Sequence, residues 1–233
     1  MHVLLAPRGS SHRLEDLYAF PRRRWVRANF VSTLDGAGTG ADGRTDSINT
    51  PADNRIFALQ RRLADAVLVG AGTARAESYT RLVGPPSGPG GALVVISGSG
   101  RVPAGLRTPR EGRGPGVLVT SAAAEPRTLA SARRQLGADN VWVCGDESVD
   151  LALALDRLTA LGLGRVLCEG GPSLLSAMLA TALVDELSLT VVPAIVGGDA
   201  TRITHGPWLA VSARPRVLLE EAGTVLGLWR VSR

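Results

Sequence analysis

A chain of 233 residues with 45% hydrophobic and 20% charged side chains can bury a sizeable core and lies outside the disordered class. No apolar run approaches the roughly 20 residues that cross a bilayer, and Val3-Leu4-Leu5-Ala6 is too short for a signal peptide's apolar segment, so no membrane partner and a cytoplasmic location are expected. All 26 basic residues are arginine and the net charge is +5, which excludes a Schiff-base lysine, a lysine general base and a phosphate-loop lysine.

The arginines are dispersed apart from Arg22-Arg23-Arg24, and aromatics are only 4%. A nucleic-acid surface needs clustered charge and stacking platforms, so nucleic acid is not the expected partner. Cys144 and Cys168 end apolar runs and have no ligand-spaced neighbours; they read as free buried thiols, with no metal site.

In chain order, valine- and leucine-rich runs predict strands at 26–32, 66–69, 92–96, 117–120, 141–144, 166–168, 187–192, 217–219 and 225–231. Thr50-Pro51 opens a helix, with threonine as cap, proline at the first helical position and Asp53 adding charge that suits the first turn. Ala52, Ile56, Leu59 and Leu63 then form one apolar stripe that leaves Arg55 and Arg62 outside it. Further helices are expected at 151–161 and from Pro172. Residues 84–91 and 108–116, rich in glycine and proline, read as surface loops.

Strands alternating with helices predict an α/β fold with a mostly parallel central sheet flanked by helices. The last two strands, separated by 220–223, form an antiparallel hairpin at its edge. The expected organisation is an N-terminal extension, 1–24, and a single domain, 25–233.

Three segments could carry chemistry. Gly70-Ala71-Gly72-Thr73 follows a buried strand, and Glu169-Gly170-Gly171-Pro172-Ser173 repeats the design with an acidic residue at the strand end. Glycine lets a ligand approach the backbone, and amides opening a helix point at anions, although such glycines also close turns that bind nothing. Two such turns suit a dinucleotide laid across strand ends; the third glycine of the common dinucleotide fingerprint is missing. The third segment carries Asn29 and ends in Asp35-Gly36, which by itself reads as a turn. Ser97-Gly98-Ser99-Gly100-Arg101 is either a 2′-phosphate site or a solvated loop.

Taken together, Asn29 with Ser32-Thr33-Leu34-Asp35-Gly36, Gly70-Ala71-Gly72-Thr73, Glu169-Gly170-Gly171-Pro172-Ser173 and Val184-Asp185-Glu186-Leu187 form an ordered set. It resembles the pyrimidine reductases of riboflavin biosynthesis, known alone or as the C-terminal domain of a bifunctional deaminase-reductase. The resemblance spans roughly residues 25–231, with no deaminase segment before it. It implies a dihydrofolate-reductase-like fold, NADPH as hydride donor, a ribosylamino-pyrimidine phosphate as substrate and a homodimer. The strand at 187–192 would suit the interface.

By the same resemblance, Gly70, Gly72, Thr73, Glu77, Gly170, Gly171, Pro172, Ser173 and Leu174 contact the cofactor, with Ser97 and Arg101 joining them if the 2′-phosphate reading holds. Asn29, Thr45, Asn49 and Arg61 line the substrate pocket. Glu169 and Asp35 are the catalytic candidates, Glu169 favoured for orienting substrate. Ser47 stands where bacterial members often carry tryptophan, and Glu77-Ser78-Tyr79 replaces their Asp-Asp-Pro. A reductase of a pterin, dihydrofolate or other heterocycle on the same fold is the alternative within the class. A non-catalytic nucleotide- or nucleic-acid-binding protein is the alternative outside it.

Overall fold

The computed structural model describes residues 1–83, 90–107 and 112–232. Most of the two predicted surface loops lies outside them. The described residues form ten strands: β1 (His2–Leu5), β2 (Trp25–Thr33), β3 (Ala66–Gly70), β4 (Ala92–Ile96), β5 (Gly116–Thr120), β6 (Val141–Val143), β7 (Arg165–Cys168), β8 (Glu186–Val192), β9 (Ala213–Glu221) and β10 (Thr224–Val231). The helices are α1 (Leu14–Leu17), α2 (Pro51–Leu63), α3 (Ala71–Ala76), α4 (Ala104–Arg107), α5 (Pro126–Leu136), α6 (Leu151–Ala160) and α7 (Pro172–Ala180). The nine predicted strands are all present. The fold is mixed α/β, and among the described residues no helix is long and apolar enough to cross a membrane.

These elements group into two compact units, one made of Met1–Leu63 and Leu167–Arg233, the other of Ala64–Val166. In the second unit the strands run β3-β4-β5-β6, and each adjacent pair is parallel. Val67, Leu68 and Val69 of β3 and Leu93, Val94 and Val95 of β4 are fully buried, as apolar runs covered on both faces require.

In the first unit the order is β1-β9-β10-β8-β2-β7. β2 and β8 pair in parallel, whereas β10 pairs antiparallel with both β8 and β9. The predicted C-terminal hairpin is therefore β9–β10, but it does not end the sheet. β1 pairs antiparallel along β9, with His2 opposite Glu220 and Val3 opposite Leu219. The stretch read as an N-terminal extension also supplies Leu17 and Tyr18 to the core.

α2 starts as its sequence dictates, with the Asp53 amide donating to Thr50 Oγ1 at 3.2 Å. Its stripe residues Ala52, Ile56 and Leu59 pack on Val217, Leu219, Leu226 and Leu228 of the hairpin. A second, polar row on the same helix is also buried: Asp53 and Gln60. It meets β8, which alternates rather than running continuously apolar. Glu186, Ser188 and Thr190 face inward, and Leu187, Leu189 and Val191 stay half-buried on the opposite face.

Candidate active site

Glu169 follows β7 directly and its side chain is 2% exposed, while that of Arg61, near the end of α2, is 30% exposed. The Arg61 guanidinium donates through Nε to Glu169 Oε1 at 2.7 Å and through Nη2 to Oε2 at 2.6 Å. It also lies over the Phe57 ring, 4.2 Å from the centroid. Two parallel charge-assisted bonds and a stacked ring leave the carboxylate little freedom of orientation.

One residue earlier on α2, the Gln60 amide turns into the sheet. Its Nε2 donates to Asn29 Oδ1 at 2.7 Å and to Ser188 Oγ at 3.1 Å. Asn29 and Ser188 are register partners on β2 and β8. The structure thus joins two predicted residues, Arg61 and Glu169, and attaches the third, Asn29, to the same helix through a residue the sequence reading passed over. Gln60 lies seven positions after Asp53 on α2, and that spacing was the signal available for finding it.

Past Glu169, Gly170 has φ +90°, and a Cβ there would lie 2.9 Å from Phe30 Cζ; the Gly170–Gly171 peptide is cis. Gly171 then caps α7 without any side-chain cap bond, and Pro172 opens the helix. Proline has no amide to satisfy, so the first amides available to an acceptor are those of Ser173 and Leu174.

Asp35 is placed differently from the catalytic reading. Its carboxylate accepts from Thr33 Oγ1, from the Gly197 amide at 2.7 Å and from the Val196 amide at 3.2 Å. These donors, the Thr33 hydroxyl foremost, hold its pKa below the usual aspartate range. It clips the end of β2 to the segment after β8. Beside that clip, a cavity of about 530 Å³ is lined by Ser47, Ile48, Thr50, Val192 and Val196, with Asp42 at its wall. Asp42 accepts from Ser47 Oγ at 2.8 Å. Thr45 and Asn49 belong to the same loop: the Thr45 carbonyl accepts from the Ile48 amide, and Asn49 Oδ1 is buried without a partner.

In the second unit, β3 runs straight into α3, with Gly70 in extended conformation as the cap. A Cβ on Gly72 would meet no atom within 4 Å, so the protein's own packing does not demand glycine there. The Thr73 carbonyl accepts from the amide of Glu77, which ends α3. After β4, Ser97 is buried and turned into its own turn, its Oγ 3.4 Å from Ser99 Oγ, whereas Arg101 is exposed.

Both cysteines are buried and free. Burial pushes the Cys168 thiol up to about 12, so it is inert as a nucleophile. Among the described residues, no three His, Cys, Asp or Glu side chains stand together as a metal cluster.

Comparison with known proteins places this arrangement. The chain is 34% identical over 188 residues to the 2,5-diamino-6-ribosylamino-4(3H)-pyrimidinone 5′-phosphate reductase of Methanothermobacter thermautotrophicus, covering 79% of this chain and 85% of that one. It is 28% identical to the reductase of the same name from Archaeoglobus fulgidus, over 79% of this chain and 87% of the relative. The crystal structure of a pyrimidine reductase-like protein from Corynebacterium diphtheriae superposes with a TM-score of 0.77 at 23% identity, covering 90% of this chain and 92% of that one. Residues 24–224 match the RibD C-terminal domain, and the chain belongs to that family.

Proposed function

We propose that the chain reduces a ribosylamino-pyrimidine phosphate, ribosyl to ribityl, with NADPH as hydride donor. The observation that carries this reading is the Arg61–Glu169 fork at the end of β7, in a chain a third identical to a named reductase of that substrate class. A buried carboxylate held by a partly exposed arginine is suited to orient a polyhydroxylated substrate, and arginine suits its phosphate.

Two features support a dinucleotide. Gly72 leaves open space where any other residue would place a Cβ, and α7 begins with amides that no side chain caps. Gly70, Gly72, Thr73 and Glu77, and Gly170 to Leu174, are the proposed cofactor contacts, with Ser97 and Arg101 for the 2′-phosphate. Bound there, the nicotinamide would supply the hydride. The protein's share is orientation: Glu169 fixes the substrate, and Asn29, Thr45 and Asn49 contact it. Asp35 has its carboxylate engaged by three donors, so proton handling falls to Glu169.

A homodimer fits the sheet face opposite α2. Leu187, Leu189 and Val191 on β8 lie beside Phe30 on β2 and Trp229 on β10, all half-buried in the single chain. Such an apolar face suits a second copy.

The test is an NADPH-oxidation assay comparing the ribosylamino-pyrimidine phosphate with dihydrofolate, alongside NADH as donor. Preference for the pyrimidine phosphate and for NADPH is expected. Turnover of dihydrofolate alone would move the assignment to the pterin-type alternative, and oligonucleotide binding with no oxidation of either cofactor would remove the enzyme reading.

A further inference from the structure

We propose that Gln60 is a positioning residue that holds the Asn29 side-chain amide with its Nδ2 outward, so that Asn29 recognises an acceptor oxygen of the ligand. The inference rests on the reading of Asn29 as a substrate contact and adds what that contact can bind.

Gln60 is fully buried, and its Nε2 donates to Asn29 Oδ1 and Ser188 Oγ while Oε1 has no partner. Rotating the Gln60 amide by half a turn would give Oε1 both neighbours and strand two buried N–H groups instead of one carbonyl oxygen. Two orphaned donors cost more than one orphaned acceptor, so the observed orientation is the stable one. It takes up Asn29 Oδ1. Asn29 Nδ2 makes no hydrogen bond among the described residues, yet it is absent from the sealed, unpartnered atoms; it therefore opens outward. An asparagine offers both a donor and an acceptor; here Gln60 holds the acceptor inward and the donor is the group turned outward. The matching ligand group is an acceptor, such as a hydroxyl, carbonyl or phosphate oxygen.

The experiment compares Gln60→Glu, Gln60→Met, Asn29→Lys and the Asn29→Lys/Gln60→Met double variant, each checked for folding by thermal melting. A carboxylate at position 60 accepts from Asn29 Nδ2 and turns Oδ1 outward, so Gln60→Glu is expected to raise substrate KM at least tenfold with kcat changed less than threefold. Gln60→Met frees the amide and raises KM by a smaller factor. With lysine at 29 the donor no longer depends on Gln60, so adding Gln60→Met there changes KM less than twofold. Equal KM effects of Gln60→Met in both backgrounds would overturn the proposal, as would an unchanged KM in Gln60→Glu. Side-chain amide NMR of the wild type reads the orientation without activity: Gln60 NH2 protons protected from exchange and those of Asn29 exchanging support it, and the reverse overturns it. Should the wild type fail to reduce the pyrimidine phosphate, the functional reading falls while the NMR result still decides the amide orientation.

Discussion

Arg61 reaches both carboxylate oxygens of Glu169 across 108 residues of sequence, at 2.7 and 2.6 Å. The fork makes Glu169 a fixed acceptor beside the Gly170–Gly171 turn. Replacing Glu169 with Gln keeps the shape and removes the charge. NADPH affinity should stay within about twofold while turnover falls about a hundredfold or more, the scale of a lost acid–base or orienting group. Normal turnover, measured by NADPH oxidation, would take Glu169 out of the mechanism. Arg61→Lys should also lower turnover, because an ammonium cannot form the fork.

Glu186 holds the second buried ion cluster and no proposed chemistry. Its carboxylate accepts from Arg27 Nε and Arg216 Nε, each at 2.7 Å, and the side chains of Arg27 and Glu186 are fully buried. Arg27 also donates to the Tyr18 carbonyl at 2.8 Å and stacks on Phe20. Glu186→Gln leaves a buried guanidinium uncompensated and should cost about 3–5 kcal/mol. Urea unfolding checks this, and a loss below about 1 kcal/mol would show that the arginines re-pair or hydrate.

Asp53 gives a pH dependence of stability. Burial raises its pKa, only partly offset by a hydrogen bond from Thr190. A carboxyl whose folded pKa exceeds the unfolded one binds its proton more tightly in the native state, so stability is lost as pH rises from the ordinary aspartate range through the raised value. Asp53→Asn keeps an acceptor for Thr190 and removes the charge. It should melt higher than wild type at pH 7, with the difference shrinking as pH falls to 4. A lower melting temperature at pH 7 would mean that the charge's favourable place in the first turn of α2 outweighs burial.

Gly170 combines two demands. Its φ of +90° disfavours any side chain, and a Cβ would press on the Phe30 ring at 2.9 Å. Gly170→Ala should cost about 1–2 kcal/mol from backbone conformation, plus a steric part that shrinks in the Phe30→Leu background. Thermal melts of the two single variants and the double variant separate the parts, and strict additivity would deny the Phe30 contact.

Asp35 is predicted to act through its loop. Asp35→Asn weakens the acceptor that holds the Val196 and Gly197 amides. Substrate KM should rise more than kcat falls, because Val196 lines the cavity. A collapse of kcat at unchanged KM would instead return Asp35 to proton transfer.

The local record in the sequence was rich. The Thr50-Pro51 start of α2, the apolar strand of β3 and the glycines closing β3 and β7 could be read directly, because capping, periodicity and turn formation depend on residues a few positions apart. The N-terminal strand β1 could not: His2–Leu5 becomes a strand through pairing with β9 more than 200 residues later. The alternating β8 exposes the same limit, since Ser188 and Thr190 look like ordinary strand positions until Gln60 and Asp53 are known to lie above them.

The sequence alone determined nine of the ten strands, the helices beginning at Pro51, Leu151 and Pro172, and the residues that could carry chemistry, because these follow from short-range backbone and side-chain preferences. Only the tertiary structure decided which partners those side chains meet. Asp35 accepts from the amides of residues 196 and 197, Asn29 accepts from Gln60, and Glu169 gained Arg61. Each of those outcomes is a pairing of polar groups brought together by folding, and buried polar groups must find such partners wherever the chain places them.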